Sequence, residues 1–148
     1  MKPFAYLIIA MFLYSFASCQ SPSKYEKADA SDIEQERLDF AKRISDQLLS
    51  AQAKGGFYQL TEEEADSKMI SGLDEALQRK SYQQINGAFG AYQGLTFDHL
   101  MRPTDGTLYE IYRFKGRFNP KAEVEVRTIL NADGKLAGFF VKPWRDEL

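Results

Sequence analysis

Apolar residues recur along this chain in three patterns, and each predicts a different kind of element. From Phe4 to Ala17 no charged residue appears, a run of about 14 positions that falls short of the roughly 20 a spanning helix needs. Lys2 precedes the run and the small residues Ala17 and Ser18 follow it, the layout of a secretory signal that is removed and takes no part in the fold. Between Ile33 and Tyr92 apolar positions return at helical spacing. Beyond Leu95 they alternate with polar ones, the period of strands.

The helical part divides into three. Ser31 and Glu34 have capping-box spacing and Asp32 adds a negative charge, so a first helix is predicted from Ser31. Its apolar face is Ile33, Leu38, Ala41, Ile44, Leu48 and Ala51, and Gly55-Gly56 ends it. A shorter second helix is predicted from Thr61, again boxed by Glu64. A third spans roughly Ser71 to Ala91 with Leu73, Leu77, Ile85, Ala88, Phe89 and Tyr92. Gly87, Gly90 and Gly94 weaken its end.

Four strand-like runs follow, separated by turn signals at Pro103-Thr104-Asp105-Gly106, Asn119-Pro120-Lys121 and Asn131-Ala132-Asp133-Gly134. Such short connections imply an antiparallel meander. The predicted class is α+β, with N-terminal helices packed on one face of a four-stranded antiparallel sheet. Alternation assigns Tyr112, Phe114, Phe118, Val124, Val126, Thr128 and Leu130 to the buried face. A last hairpin centred on Ala132-Asp133 pairs Val124, Val126 and Thr128 with Val141, Phe139 and Ala137. The opposite face then sets Arg117 by Glu123, Lys115 by Glu125, Arg113 by Arg127, and Gly138 beside Arg127.

The single cysteine changes this picture. A lone thiol in an exported protein invites intermolecular disulfides, and Cys19 stands directly after Ser18. Phe16 to Cys19, FASC, resembles the bacterial lipobox, in which a peptidase cuts just before a lipid-modified cysteine; Phe16 stands where that family prefers Leu. The resemblance implies residues 1–18 as signal peptide and Cys19 as the lipidated first residue of an exported, membrane-anchored protein on the periplasmic or cell-surface side. Two or more acyl chains hold stably where one holds marginally. The competing reading is an ordinary signal peptide. Arg145-Asp146-Glu147-Leu148 also resembles a KDEL-type retrieval signal, but the position of the only cysteine favours the bacterial reading.

Removal of 18 residues leaves about 130, enough for one domain, and moves the formal charge from −2 to about −3. A nucleic-acid partner, whose footprint is a basic excess, is not expected. Polar residues 19–30 read as a tether reaching at most about 36–40 Å, and residues 31–148 as a single domain. Glu123 to Trp144, EVEVRTILNADGKLAGFFVKPW, and Ile85 to Leu95, INGAFGAYQGL, resemble an uncharacterised family of secreted bacterial domains. That resemblance covers most of residues 36 to 144 and implies a cystatin-like or nuclear-transport-factor-like cone. It carries no catalytic residues.

Candidate chemistry is sparse. His99 is the only histidine, and acid–base work needs a partner and a pocket. No serine sits in a nucleophile elbow, and no Asp, Glu and His cluster has metal-ligand spacing, so neither metal nor cofactor is expected. Glu62-Glu63-Glu64 with Asp66 reads as a solvated helical turn. Arg113 and Arg127, side by side, repel unless compensated. One reading is an anion site with Lys115 and Arg117 at its edge; the preferred one is a charged face neutralised by Glu123 and Glu125. The leading function is a non-catalytic, lipid-tethered domain binding a small ligand or an envelope protein. The alternatives are a small enzyme using a cone pocket, with His99 and Asp98 or a buried tyrosine, and a structural accessory lipoprotein.

Overall fold

The computed structural model describes residues 23–119 and 123–146; the signal-like segment and Cys19 lie outside the described residues. Among the described residues there are three α-helices and one sheet: α1 (Gln35–Ala53), α2 (Ser67–Gly72) and α3 (Glu75–Phe89), with β1 (Tyr25–Lys27), β2 (Ala91–Pro103), β3 (Glu110–Asn119), β4 (Glu123–Leu130) and β5 (Leu136–Pro143). The strands pair in the order β1-β2-β3-β4-β5, all antiparallel. The α+β class is as expected, but the sheet has five strands rather than four.

The additional strand comes from the segment read as tether. Tyr25, Glu26 and Lys27 pair with Pro103, Arg102 and Met101, and the Ala28 N–H continues the contact to the Leu100 carbonyl at 2.9 Å. Thirteen-residue β2 would otherwise present a bare edge of unpaired backbone groups. Because the chain still follows that edge at Ala28, it must cross to the helix layer before a helix begins. Ala30–Asp32 forms a single 3-10 turn, and Ile33 packs half-buried against the core. The box at Ser31 therefore goes unused. Helix α1 starts at Gln35 with Glu34 as an N-cap that makes no side-chain cap bond; its carboxylate instead meets Arg37 at 3.2 Å.

Helix α1 buries Ala41, Ile44, Ser45, Leu48, Leu49 and Gln52, a stripe at intervals of three and four that faces the sheet. The helix predicted from Thr61 is only a turn. Glu64 does return to the Thr61 N–H and hydroxyl, both at 3.3 Å. Ala65 then bridges to Leu136, with Leu136 N–H on the Glu64 carbonyl and Asp66 N–H on the Leu136 carbonyl at 2.8 and 3.0 Å. These sheet bonds interrupt the helix, which restarts as α2 when the Asp66 carboxylate accepts from the Met69 N–H at 2.8 Å. Asp74 caps α3 in the same way through the Leu77 N–H. Gly90, at φ +89°, ends α3, so β2 begins at Ala91 and not at Leu95. Leu77 and Ala88, predicted as core, are exposed, while Gln78 is buried.

The buried face of the sheet is the one alternation assigned. Leu100, Tyr112, Phe114, Phe118, Val124, Val126 and Leu130 form one cluster with Ala41 and Leu49. Ile44, Leu48, Leu60, Ala65 and Leu136 form a second beside it. Thr128, on the same face, is hydrogen-bonded to Ser45 of α1. Gly116 belongs to this packing, since a Cβ there would sit 2.8 Å from the Phe118 ring.

Register follows expectation between β3 and β4, where Arg113 opposes Arg127, Lys115 opposes Glu125 and Arg117 opposes Glu123. Between β4 and β5 it is displaced by two residues: Val126 faces Val141 and Thr128 faces Phe139. An irregularity after Ile129 inserts Ala137 as an extra residue on β5. The face assignment survives because the displacement is even. Phe140, not Gly138, therefore stands beside Arg127, and Gly138 lies against Ile129.

Candidate functional site

Two regions carry polar groups that the packing of the core does not explain. The first is on the outer face of the sheet. A bulge between Phe97 and His99 makes Asp98 the extra residue on β2 and sets His99 opposite Arg113. Arg113 reaches Asp98 Oδ2 at 3.1 Å and Glu125 Oε2 at 2.9 Å. Glu125 also binds Arg127 and, at 3.6 Å, Lys142, while Lys115 pairs with Glu123 at 3.2 Å. The Trp144 ring lies 3.9 Å from the Arg113 guanidinium carbon and 4.6 Å from Lys115 Nζ, and the Arg145 carbonyl accepts from Arg113.

The two arginines thus come together as the register predicted, with Glu125 between them. Arg117, opposite Glu123, stands further along the same ladder. Glu125 is 1% exposed and Arg113 2%, so both charges depend on each other rather than on water. Burial alone would raise the Glu125 carboxyl; hydrogen bonds from Arg113 and Arg127 outweigh it and hold the group below its ordinary value. His99 donates from Nδ1 to Asp98 at 2.6 Å, which leaves Nε2 as an acceptor. Burial pushes its pKa down against the pull of Asp98, so it is held neutral. His99 Nε2 and Arg113 Nε are both enclosed without a partner. The dyad has acid–base form, yet none of the cavities described below is lined by His99, Arg113 or Arg127.

The second region is a groove of about 340 Å³ between α3 and the edge strand β5. Ile85 and Phe89 of α3 face Phe139 and Val141 of β5, with Leu73 at one end and Gln52 of α1 below them. Phe89 and Tyr92 pack edge-on against Phe118 at 6.1 and 5.4 Å, and the Tyr92 hydroxyl donates to Asp46 at 2.6 Å. They fill the space between helices and sheet toward β2, and the groove opens at β5. Burial and the Asp46 bond raise the Tyr92 pKa, so this hydroxyl stays protonated. Gln52 is 2% exposed, and its Oε1 has no hydrogen-bond partner.

Gln52 was invisible to a reading that counted only apolar positions. Its signal is positional: Ala41, Ile44, Leu48 and Gln52 continue one stripe, so a glutamine occupies a core place in the last turn of α1. The acidic run has no site character, since Glu64 binds Tyr58 at 2.7 Å and Asp66 caps α2. Among the described residues no group of three or more His, Cys, Asp or Glu is placed to hold a metal, and no helix is long and apolar enough to cross a membrane. Comparison finds no match to this chain among family models, curated proteins or solved structures.

Proposed function

We propose that this chain is a lipid-anchored, non-catalytic binding domain of the bacterial cell envelope, and that the α3–β5 groove takes a small molecule with an apolar body and one hydrogen-bond donor. The observation that carries the reading is Gln52, a residue lining the groove whose enclosed amide oxygen has no hydrogen-bond partner. A buried acceptor without a donor is costly to the free protein, and a donor-bearing ligand removes that cost once the Gln52 side chain turns its oxygen into the groove. The groove lies within the size range of small-molecule sites, and its walls set seven apolar residues beside the polar Gln52, Ser81 and Gln84. The FASC segment supports lipidation at Cys19. Helices laid on one face of a bulged antiparallel sheet, open at one edge, support a cystatin-like or nuclear-transport-factor-like cone.

Indole, apolar with a single N–H, is a suitable probe. Titrated into the ¹⁵N-labelled domain, it is expected to shift amides of Phe89, Phe139 and Val141. Gln52→Leu, which keeps the apolar walls, is expected to weaken binding about tenfold, the worth of one hydrogen bond. Shifts confined to other surfaces, or equal affinity in the variant, overturn the groove assignment. Incorporation of a palmitate analogue into wild type but not into Cys19→Ala tests the anchor.

A further inference from the structure

We infer that the end of the sheet carrying the β2–β3 loop rests on the membrane surface, with Leu108 and Tyr109 seated among the lipids. The inference rests on the Cys19 anchor proposed above, and it starts from where the described chain begins. Ser23 and Lys24 lie against that loop: Thr104 donates its N–H to the Lys24 carbonyl at 3.0 Å and its hydroxyl to the Ser23 carbonyl at 3.2 Å. Tyr25 stands opposite Pro103. Three residues lie between Cys19 and Ser23, and covalent geometry limits the distance between these two to about 14 Å. A lipid on Cys19 therefore keeps Ser23 within that distance of the anchor, and Thr104 one hydrogen bond further on. The long standoff expected of a tether running to residue 30 is absent because Tyr25–Lys27 are locked into the sheet.

What this end presents fits a bilayer. Leu108 is 76% exposed and Tyr109 44%, both in the loop beside the entry point. Behind them, Tyr25, Pro103, Tyr109, Ile111 and Ile129 line a concavity of about 540 Å³. Tyrosines with an apolar ring and a polar tip suit the headgroup level. The acidic residue of the loop is engaged internally, since Asp105 accepts from the Thr107 N–H at 3.0 Å and its hydroxyl at 2.8 Å. Lys24 adds a cation at the same end. The α3–β5 groove is served by the opposite edge of the sheet, about 19 Å from β1 across four strand spacings. Resting on the β1 side leaves that groove open to its ligand.

The test places a tryptophan reporter at each end of the full chain. In a Trp144→Phe background, Leu108→Trp and, as the remote control, Leu77→Trp on exposed α3 are expressed with the native leader. Each is extracted and reconstituted into vesicles of phosphatidylethanolamine and phosphatidylglycerol, with or without acyl-brominated lipid. Both are expected to float with the vesicles. Emission from Leu108→Trp should shift to the blue and be quenched by the brominated lipid, and emission from Leu77→Trp should do neither. Flotation without quenching of Leu108→Trp overturns the orientation while leaving the anchor standing, as does equal quenching of both reporters. A chain that does not float overturns the anchor and, with it, the orientation.

Discussion

Two glutamines are buried almost equally in this domain, and they are placed for opposite ends. Gln78, 1% exposed, opens α3. Its carbonyl accepts the Tyr58 N–H at 2.9 Å, and its amide nitrogen donates to the carbonyls of Tyr58 at 2.7 Å and Leu73 at 2.9 Å. One side chain thereby replaces the backbone partners that an irregular segment lacks, and the connection before α2 is pinned to α3. Gln52, 2% exposed, closes α1, and its oxygen meets nothing. Burial does not separate a structural polar group from a functional one. The count of partners taken together with an adjoining groove does. Gln78 has spent its capacity on the fold, whereas Gln52 keeps an unpartnered acceptor and lines a groove; His99 and Arg113, which also keep an unpartnered nitrogen, line none of the cavities described.

The largest test of this distinction replaces the most heavily engaged buried group. Glu125 holds Arg113, Arg127 and Lys142 together. Glu125→Leu leaves the buried Arg113 facing the half-buried Arg127 without their shared carboxylate and is expected to cost about 3–5 kcal/mol, read by urea unfolding. Removing Arg113 as well, in Arg113→Met with Glu125→Leu, should recover part of the loss, because the harm lies in the unpaired charge. Next in size is Gln78→Leu. It strands the Tyr58 N–H and two carbonyls, and the expected loss is about 2–3 kcal/mol. A loss no larger than that of Gln52→Leu would dissolve the comparison.

A smaller effect is expected from pH. His99 is held below its ordinary value near 6.5. The unfolded chain thus takes up its proton before the folded one, and stability must fall as pH drops through and below about 6.5. Glu125, also held low, has the same sign at a lower pH: its contribution is complete above its ordinary value of 4.5 and is lost on further acidification. Thermal midpoints between about pH 8 and pH 2 should show both limbs. His99→Gln, which does not titrate, is expected to flatten the upper limb and keep the lower. An unchanged upper limb would assign it to some other group.

What could be read from the sequence follows from how local each determinant is. The β3–β4 register was legible because its alternation is uninterrupted, so Arg113 and Arg127 could be placed side by side. The β4–β5 register was not: the extra residue Ala137, which carries no turn signal, accounts for one residue of the displacement, and a turn centred on Asp133 rather than between Ala132 and Asp133 accounts for the other. Tyr25–Lys27 has too few residues to show alternation, and only the length of β2 makes it a strand. The capping signals at Ser31 and Thr61 were locally sound. Contacts distant in sequence overrode them: the sheet edge at Leu100 and the bridge from Ala65 to Leu136. Gln52 was hidden for a further reason. Its importance is the absence of a donor, which only the folded surroundings reveal.

The smallest expected effect bears most directly on function. Gln52→Leu exchanges a side chain with an unpaired amide oxygen for a shorter apolar one of similar bulk beside Leu73, Phe89 and Phe139. Because no partner is stranded, the change should be near neutral or slightly stabilising. A midpoint in urea within experimental error of wild type, or just above it, is the expected result. The same variant should lose affinity for indole, so stability and binding move independently at this position. They cannot do so at Gln78, where every polar atom of the side chain is tied to backbone. If Gln52→Leu instead destabilises as strongly as Gln78→Leu, the amide has a structural partner, and the groove loses its claim to a ligand.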